Sequence, residues 1–261
     1  MAMVALVPNF ATPRLLKCAF GLTFCVITNS LTQAQTINFS INSGYTRYRY
    51  EEPGLMQLSG QQYVVGGRML VKFETGYELA AEGRYAGAEV DYVSPQSGSS
   101  RGQRLSVHEF RLLGGRTYQL HNLEFHPFIG IGMRRLNNDA QGITTTNGDI
   151  GYLRVNTSKY LPLGVSFGVG NSIGVNVEYD HLLNGRQDSY VLDELIQNQQ
   201  VRGHGHRVSI TMPRNNWVAE TYFQRWDIEA SNVVVCLGGF QLCREPKNFA
   251  TEIGINVKYL F

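Results

Sequence analysis

Long apolar runs are what this chain lacks. Beyond the first 34 residues no apolar stretch approaches the roughly 20 residues that a membrane-spanning helix needs, and hydrophobic residues make up only 43% of the chain. That excludes a helical membrane protein. An excess of either charge is also missing, with 23 Lys and Arg against 21 Asp and Glu. Arg14 and Lys17 fall in the first 34 residues, so residues 35–261 carry 21 of each sign. A neutral chain has no field to gather nucleic acid, and no such partner is expected. Cysteine is scarce: after residue 34 only Cys236 and Cys243 remain, with six residues between them. Neither has a His or further Cys at metal-ligand spacing, so no metal is expected. In an oxidising compartment the pair predicts a disulfide closing the base of a surface loop.

What the chain does have is alternation. Its last eleven residues put Thr251, Ile253, Ile255, Val257, Tyr259 and Phe261 on one face, and Glu252, Gly254, Asn256, Lys258 and Leu260 on the other. A strand with one apolar and one charged face needs lipid on one side and polar company on the other. A terminal aromatic suits a membrane interface. This segment resembles the closing strand of a bacterial outer-membrane β-barrel. The resemblance implies that Val257, Tyr259 and Phe261 form the signal read by the barrel-assembly machinery, a partner during biogenesis.

The beginning of the chain agrees. Residues 1–34 hold no acid, two bases and an apolar run from Cys18 to Ile27. A basic start, a short apolar centre and small residues near Ala34 read as a secretory signal peptide cleaved after Ala34. Residues 35–261 show no linker or composition break and read as one domain, exported through the periplasm to the outer membrane.

Strands are expected at about 37–50, 58–73, 77–93, 104–118, 124–136, 150–167, 171–184, 203–214, 216–229 and 248–261. Short turns alternate with longer loops at 51–57, 94–103, 137–149, 185–202 and 230–247. Short periplasmic turns and long outer loops are the signature of an outer-membrane barrel. The fold class is therefore all-β: a transmembrane antiparallel up-and-down barrel of about ten strands, with eight as the alternative count. Charge on the lipid face is costly, so charged positions should point inward. That assigns Arg68, Lys72, Glu82, Arg84, Glu109, Arg111, Arg134, Glu178, Asp180, Glu220, Glu252 and Lys258 to the lumen. Both signs are present, which favours a charge-filled narrow interior over a selectivity ring. His108 and Lys159 fall on the wrong face, which points to bulges or exposed rims. Tyr45, Tyr48, Tyr50, Tyr85, Tyr92, Trp217, Trp226, Tyr259 and Phe261 lie near strand ends and are expected to form aromatic girdles.

Catalytic groupings are sparse. The omptin proteases, which are ten-stranded barrels, set acidic pairs against an aspartate–histidine pair. Here Glu89 and Asp91 share a face, but Asp180 and His181 are adjacent on a strand and point oppositely. Ser106 and His108 share a face without a third partner, and His204 with His206 falls short of a metal site. No catalytic residue and no cofactor are expected.

The C-terminal part carries a family resemblance. Tyr160-Leu161-Pro162-Leu163-Gly164-Val165, Glu178 to Gly185, Gln224 to Ser231, and Glu245-Pro246-Lys247-Asn248 leading into Thr251-Glu252-Ile253-Gly254 are similar to segments of small outer-membrane barrel proteins of Gram-negative bacteria. That group has no assigned activity, so the resemblance implies fold and location only. The expectation is a monomeric integral outer-membrane protein that touches outer-membrane lipid and acts structurally or through a surface ligand held by its loops. The alternatives are a small porin-like channel for ions or solutes and, less favoured, an outer-membrane protease or lipid-acting hydrolase.

Overall fold

The computed structural model describes residues 34–261 except 171, 237 and 240. Of the expected signal segment 1–34, residues 1–33 lie outside the described residues. Fourteen strands follow in chain order: β1 (Ala34–Glu52), β2 (Met56–Phe73), β3 (Tyr77–Ser94), β4 (Gly98–Arg116), β5 (Tyr118–Leu120), β6 (Leu123–Asp139), β7 (Leu153–Val169), β8 (Ile173–Val191), β9 (Glu194–Gln200), β10 (Gly203–Arg214), β11 (Trp217–Ile228), β12 (Val234–Cys236), β13 (Gln241–Cys243) and β14 (Asn248–Leu260). β5 continues β4 along β6, and β9 with β10 forms one broken strand along β8, without a change of register at either break. Antiparallel pairing of neighbours then gives a ten-stranded sheet, and β1 closes it against β14 from Ser40↔Leu260 to Glu51↔Phe249. Closure removes every free edge, which is the condition for a sheet to cross a bilayer.

The connections at the lower end, where Phe261 lies, are short: 74–76, 121–122, 170–172 and 215–216. At the upper end the expectation of five long loops is only partly met. The segments 51–57, 94–103 and 185–202 are mostly strand, turning at 53–55, 95–97 and 192–193. Residues 192–193 explain how one of these was missed. Leu192 and Asp193 both have positive φ, 49° and 65°, the geometry of a two-residue hairpin turn. That turn is normally announced by Asn-Gly or Asp-Gly, and Leu-Asp gives no such signal. Residues 140–152 and 229–247 remain as loops, the latter carrying the small β12–β13 hairpin.

Seven barrel strands are 17–19 residues long. At roughly 3.3 Å per residue such a strand runs about 60 Å, whereas about 9–11 tilted residues cross a bilayer core. The barrel therefore has a membrane-sized lower half and an upper half of similar height beyond it. The pairing of β7 with β8 shifts where Lys159↔Asn184 is followed by Tyr160↔Leu182, so the extra residue of this bulge is Leu183 on β8. The bulge expected at Lys159 therefore lies on the neighbouring strand, and Lys159 itself keeps the alternation of β7 and faces out on the wall. His108 also faces out, against the Tyr85 ring at 5.0 Å.

The hydrophobic pattern changes sides between the two halves. Along lower β1, Ile37, Phe39 and Ile41 are exposed outward, while Asn38, Ser40 and Asn42 face in. Along upper β1, Arg47 and Arg49 face out while Tyr48 and Tyr50 are buried inside. On β4, Phe110 and Leu112 face out below, and Val107 and Leu105 face in above. The inward apolar residues of the upper half form one core, including Tyr48, Leu58, Val64, Val90, Val107, Leu136, Tyr160, Leu182 and Trp226. Tyr160 and Trp226 meet edge to face at 5.0 Å across it. A Cβ at Gly132 would lie 2.3 Å from the Tyr160 ring, so only glycine leaves room for that side chain. This corrects the girdle expectation. Tyr48, Tyr50 and Trp226 are core residues, and Tyr92 packs on the core, whereas Tyr45, Tyr85, Trp217, Tyr259 and Phe261 lie on the outside.

Candidate functional site

The lower lumen is lined by alternate residues of all ten strands, and it is where the charges gather. All twelve residues assigned to the interior from the sequence point inward. All of them but Asp180 enter ion pairs. Arg68 reaches Glu82 at 3.3 Å, Glu82 accepts from Arg111 Nε at 2.9 Å, and Arg111 also donates to Glu178. Arg84 and Arg134 both meet Glu252, and Arg84 lies 3.8 Å from Glu109. Lys258 and Arg207 flank Glu220 at 3.1 and 3.7 Å, and Lys72 and His126 flank Glu78 at 3.1 and 3.6 Å. Glu78, His126 and Arg207 were not among the expected lumen residues. On β10 simple alternation would have included Arg207, and Glu78 is the partner that strand register places opposite Lys72.

The ion-pair layer surrounds a cavity of about 280 Å³ bounded by residues such as Arg68, Glu82, Arg111, His126, Glu178, Glu220 and Lys258. Above it the network meets the apolar core. Tyr160 donates from its hydroxyl to Glu109 at 2.6 Å, fixing the boundary. Asp180 sits at the same boundary with 0% exposure, and neither of its carboxyl oxygens meets a protein donor. Gly205 makes space for it: a Cβ there would lie 2.9 Å from Asp180 Oδ2 and 3.0 Å from the Trp226 ring. A buried charge is tolerated only when paired or hydrogen-bonded, so the ordering of this layer depends on all its members.

The upper mouth is covered by the described residues of the segment 229–247, which bond to β8 and β9. Ser231 and Glu245 bridge through backbone and side chain, Asn198 donates to the Asn232 carbonyl at 3.1 Å, and Glu245 approaches the inward Ser189 at 3.3 Å. Cys236 and Cys243 form a disulfide with Cα atoms 5.9 Å apart, stapling β12 to β13 within this cover. Burial beside Glu52 raises the Glu245 carboxyl above its ordinary range, against the opposing pull of Arg154.

The residues weighed for catalysis do not come together. Glu89 and Asp91 lie on the outer wall with Arg47 and Gln61. Asp180 points in and His181 points out. Ser106 and His108 face outward, as do His204 and His206, whose rings lie 5.0 Å apart. Among the described residues no group of three or more His, Cys, Asp or Glu could hold a metal. Tyr259 packs on Trp217 at 4.8 Å and on Phe261 at 5.0 Å, all outward at the lower rim, with Val257 exposed beside them.

No protein-family model matches the chain, and no curated protein matches it in sequence. Solved structures do. The outer membrane protease OmpT from Escherichia coli superposes with a TM-score of 0.51 at 13% identity, over 87% of this chain and 97% of that one. The translocator domain of the autotransporter NalP from Neisseria meningitidis aligns with a TM-score of 0.39 at 11% identity, over 92% and 95%. Ail, the attachment invasion locus protein of Yersinia pestis, aligns with a TM-score of 0.33 at 11% identity, over 87% and 100%. The likeness to OmpT, together with the closed ten-stranded antiparallel sheet, defines the class: the chain has the fold of the outer-membrane β-barrel proteins.

Proposed function

We propose that this protein is an integral outer-membrane barrel with a structural and surface-interaction role, whose lower half anchors it in lipid and whose upper half is a solid, closed body displayed outside the cell. The observation that carries this reading is the apolar core filling the upper lumen, where Tyr48 and Tyr160 are both 0% exposed. A conducting path would have to cross that core and the cover at 229–247. The charged lower cavity is the one feature a narrow channel would share, and it ends beneath the core. The opposed faces of Asp180 and His181 support a non-enzymatic role. Surface action then falls to the β8–β9 hairpin and the disulfide-stapled segment, since loops on a rigid scaffold commonly carry binding.

The test is single-channel recording on the chain refolded into planar bilayers. The expected result is an inserted, electrically silent barrel. Discrete openings whose ion preference changes with Arg68→Glu would overturn the reading in favour of a channel.

A further inference from the structure

The outer wall carries a feature that the closed lumen leaves unused. Going up each strand from the apolar belt, the first acidic or basic side chain that faces outward is basic on seven strands and acidic only on β3, at Glu89. One group is His108 on β4, Arg135 on β6 and Lys159 on β7. The other is His181 on β8, His206 on β10 and Arg225 on β11, with Arg47 on β1 beyond β14. Three of the contacts are directly opposed across strands: His108↔Arg135, His181↔His204 and His206↔Arg225. Each of these pairs contains a histidine, so its two members carry like charge only when the imidazole is protonated; in either state the pairs place N–H donors side by side on the outer wall. Among the described residues Arg47, His108, Arg135, Lys159, His181 and His206 have no acidic ion-pair partner, while Asp227 serves Arg225 and His204. The lower rim is sparser, with only Arg116 on β4 and Arg214 on β10 as outward charged strand residues among those described. There Arg116 lies over the Tyr77 and Tyr118 rings, and Trp217, Tyr259 and Phe261 complete an aromatic edge.

We infer that this basic ring binds the phosphate groups of phosphorylated lipid in the outer leaflet, at the two clusters centred on Arg135 and Arg225. The assignment rests on the membrane reading above. Charge complementarity selects an anion, and arginine, lysine and imidazole N–H groups are all phosphate donors. Continuity with the belt selects a lipid. Exposed Met133, Leu163, Val177, Val208 and Phe223 lie directly below the ring, where the acyl chains of that same lipid would run. The Tyr179 ring, 5.3 Å from His206 and 6.0 Å from His204, supplies an amphipathic surface at the junction.

The experiment uses the refolded full barrel in neutral detergent, titrated with mixed micelles carrying either diphosphorylated lipid A or its dephosphorylated form. The phosphorylated lipid is expected to bind at least about tenfold more tightly and to raise the unfolding midpoint. Arg135→Gln with Lys159→Gln should weaken binding by about thirtyfold, each cation near an anionic surface being worth about fivefold, and His206→Gln with Arg225→Gln by at least about fivefold. Arg135→Lys and Arg225→Lys should keep most of it, and Arg116→Gln at the lower rim should leave it unchanged. Equal binding of the two lipids, or double variants that are folded and bind like the parent, would overturn the assignment. Displacement by inorganic phosphate at the same phosphate concentration would overturn the lipid and leave an anion site. Insertion is scored separately, by protease protection in uncharged phosphatidylcholine vesicles. A barrel that inserts there without phosphate preference refutes only the ring, and one that does not insert refutes the membrane reading.

Discussion

The two halves of this barrel are built from the same strands and pack by opposite rules. Below, apolar side chains face out and paired charges fill the inside. Above, the charges face out and apolar side chains fill the inside, as in a water-soluble barrel. The switch occurs within single strands: on β11 Phe223 faces out below Arg225, while Gln224 faces in below Trp226 and Ile228. Strand geometry is the same throughout, so the solvent alone accounts for the difference. Where lipid surrounds the tube, the polar groups have only the lumen; where water surrounds it, burial of Tyr, Leu and Trp inside contributes about 1.5–3 kcal/mol for each side chain.

The comparison can be broken from either half. The largest effect is expected in the upper core. Trp226→Ala removes a side chain that is 3% exposed and should lower stability by about 3–5 kcal/mol, measured by urea unfolding of the refolded barrel. Next comes the lower network. Glu252→Gln leaves the Arg84 and Arg134 guanidinium groups without their shared carboxylate. A loss of about 3 kcal/mol is expected, at the low end for a broken buried pair because the cavity lies alongside. Near-parental stability would mean that water in the cavity already screens the network. A paired substitution on the outer wall sharpens the contrast. Ile129→Arg, in the lipid-facing belt, should cost about 2–4 kcal/mol. Gln61→Arg, on the same face but in the upper half, should stay within about 0.5 kcal/mol. Equal costs would refute the boundary between the halves.

The smallest effect concerns the cover. The Glu245 carboxyl is raised in the folded state, so the folded protein holds a proton that the unfolded chain has released. Its contribution is therefore present below the ordinary carboxylate range and lost as pH rises through the raised value. Residues 229–247 should resist proteolysis better at pH 5 than at pH 7.5, and Glu245→Gln should flatten that dependence. An unchanged pH profile in the variant would remove Glu245 from the account.

Much of the lower half was legible in the residue order. Val65, Met69 and Val71 against Gly66, Arg68 and Lys72 assign both faces of β2, because a period of two admits no other arrangement. The upper half was not, for the same reason. Leu105 and Val107 are out of phase with Phe110 and Leu112, and a single rule of apolar outward cannot fit both pairs. Tyr48, Tyr50 and Trp226 could be placed at strand ends but not on a face, since an aromatic near a barrel rim suits lipid interface and core alike. The hairpin at 192–193 gave no turn signal and passed for a loop.

By itself, then, the order of residues determined an antiparallel up-and-down barrel of about ten strands and most of the inward set of lower charges, because alternation and turn residues are local properties, while the choice of ten over eight came from the strand pairing. Only the tertiary structure decided which carboxylate meets which guanidinium, where the lumen is sealed and which basic side chains form one ring. Those depend on the stagger between strands, which brings together residues as distant as Arg84 and Glu252, and no local pattern carries that information.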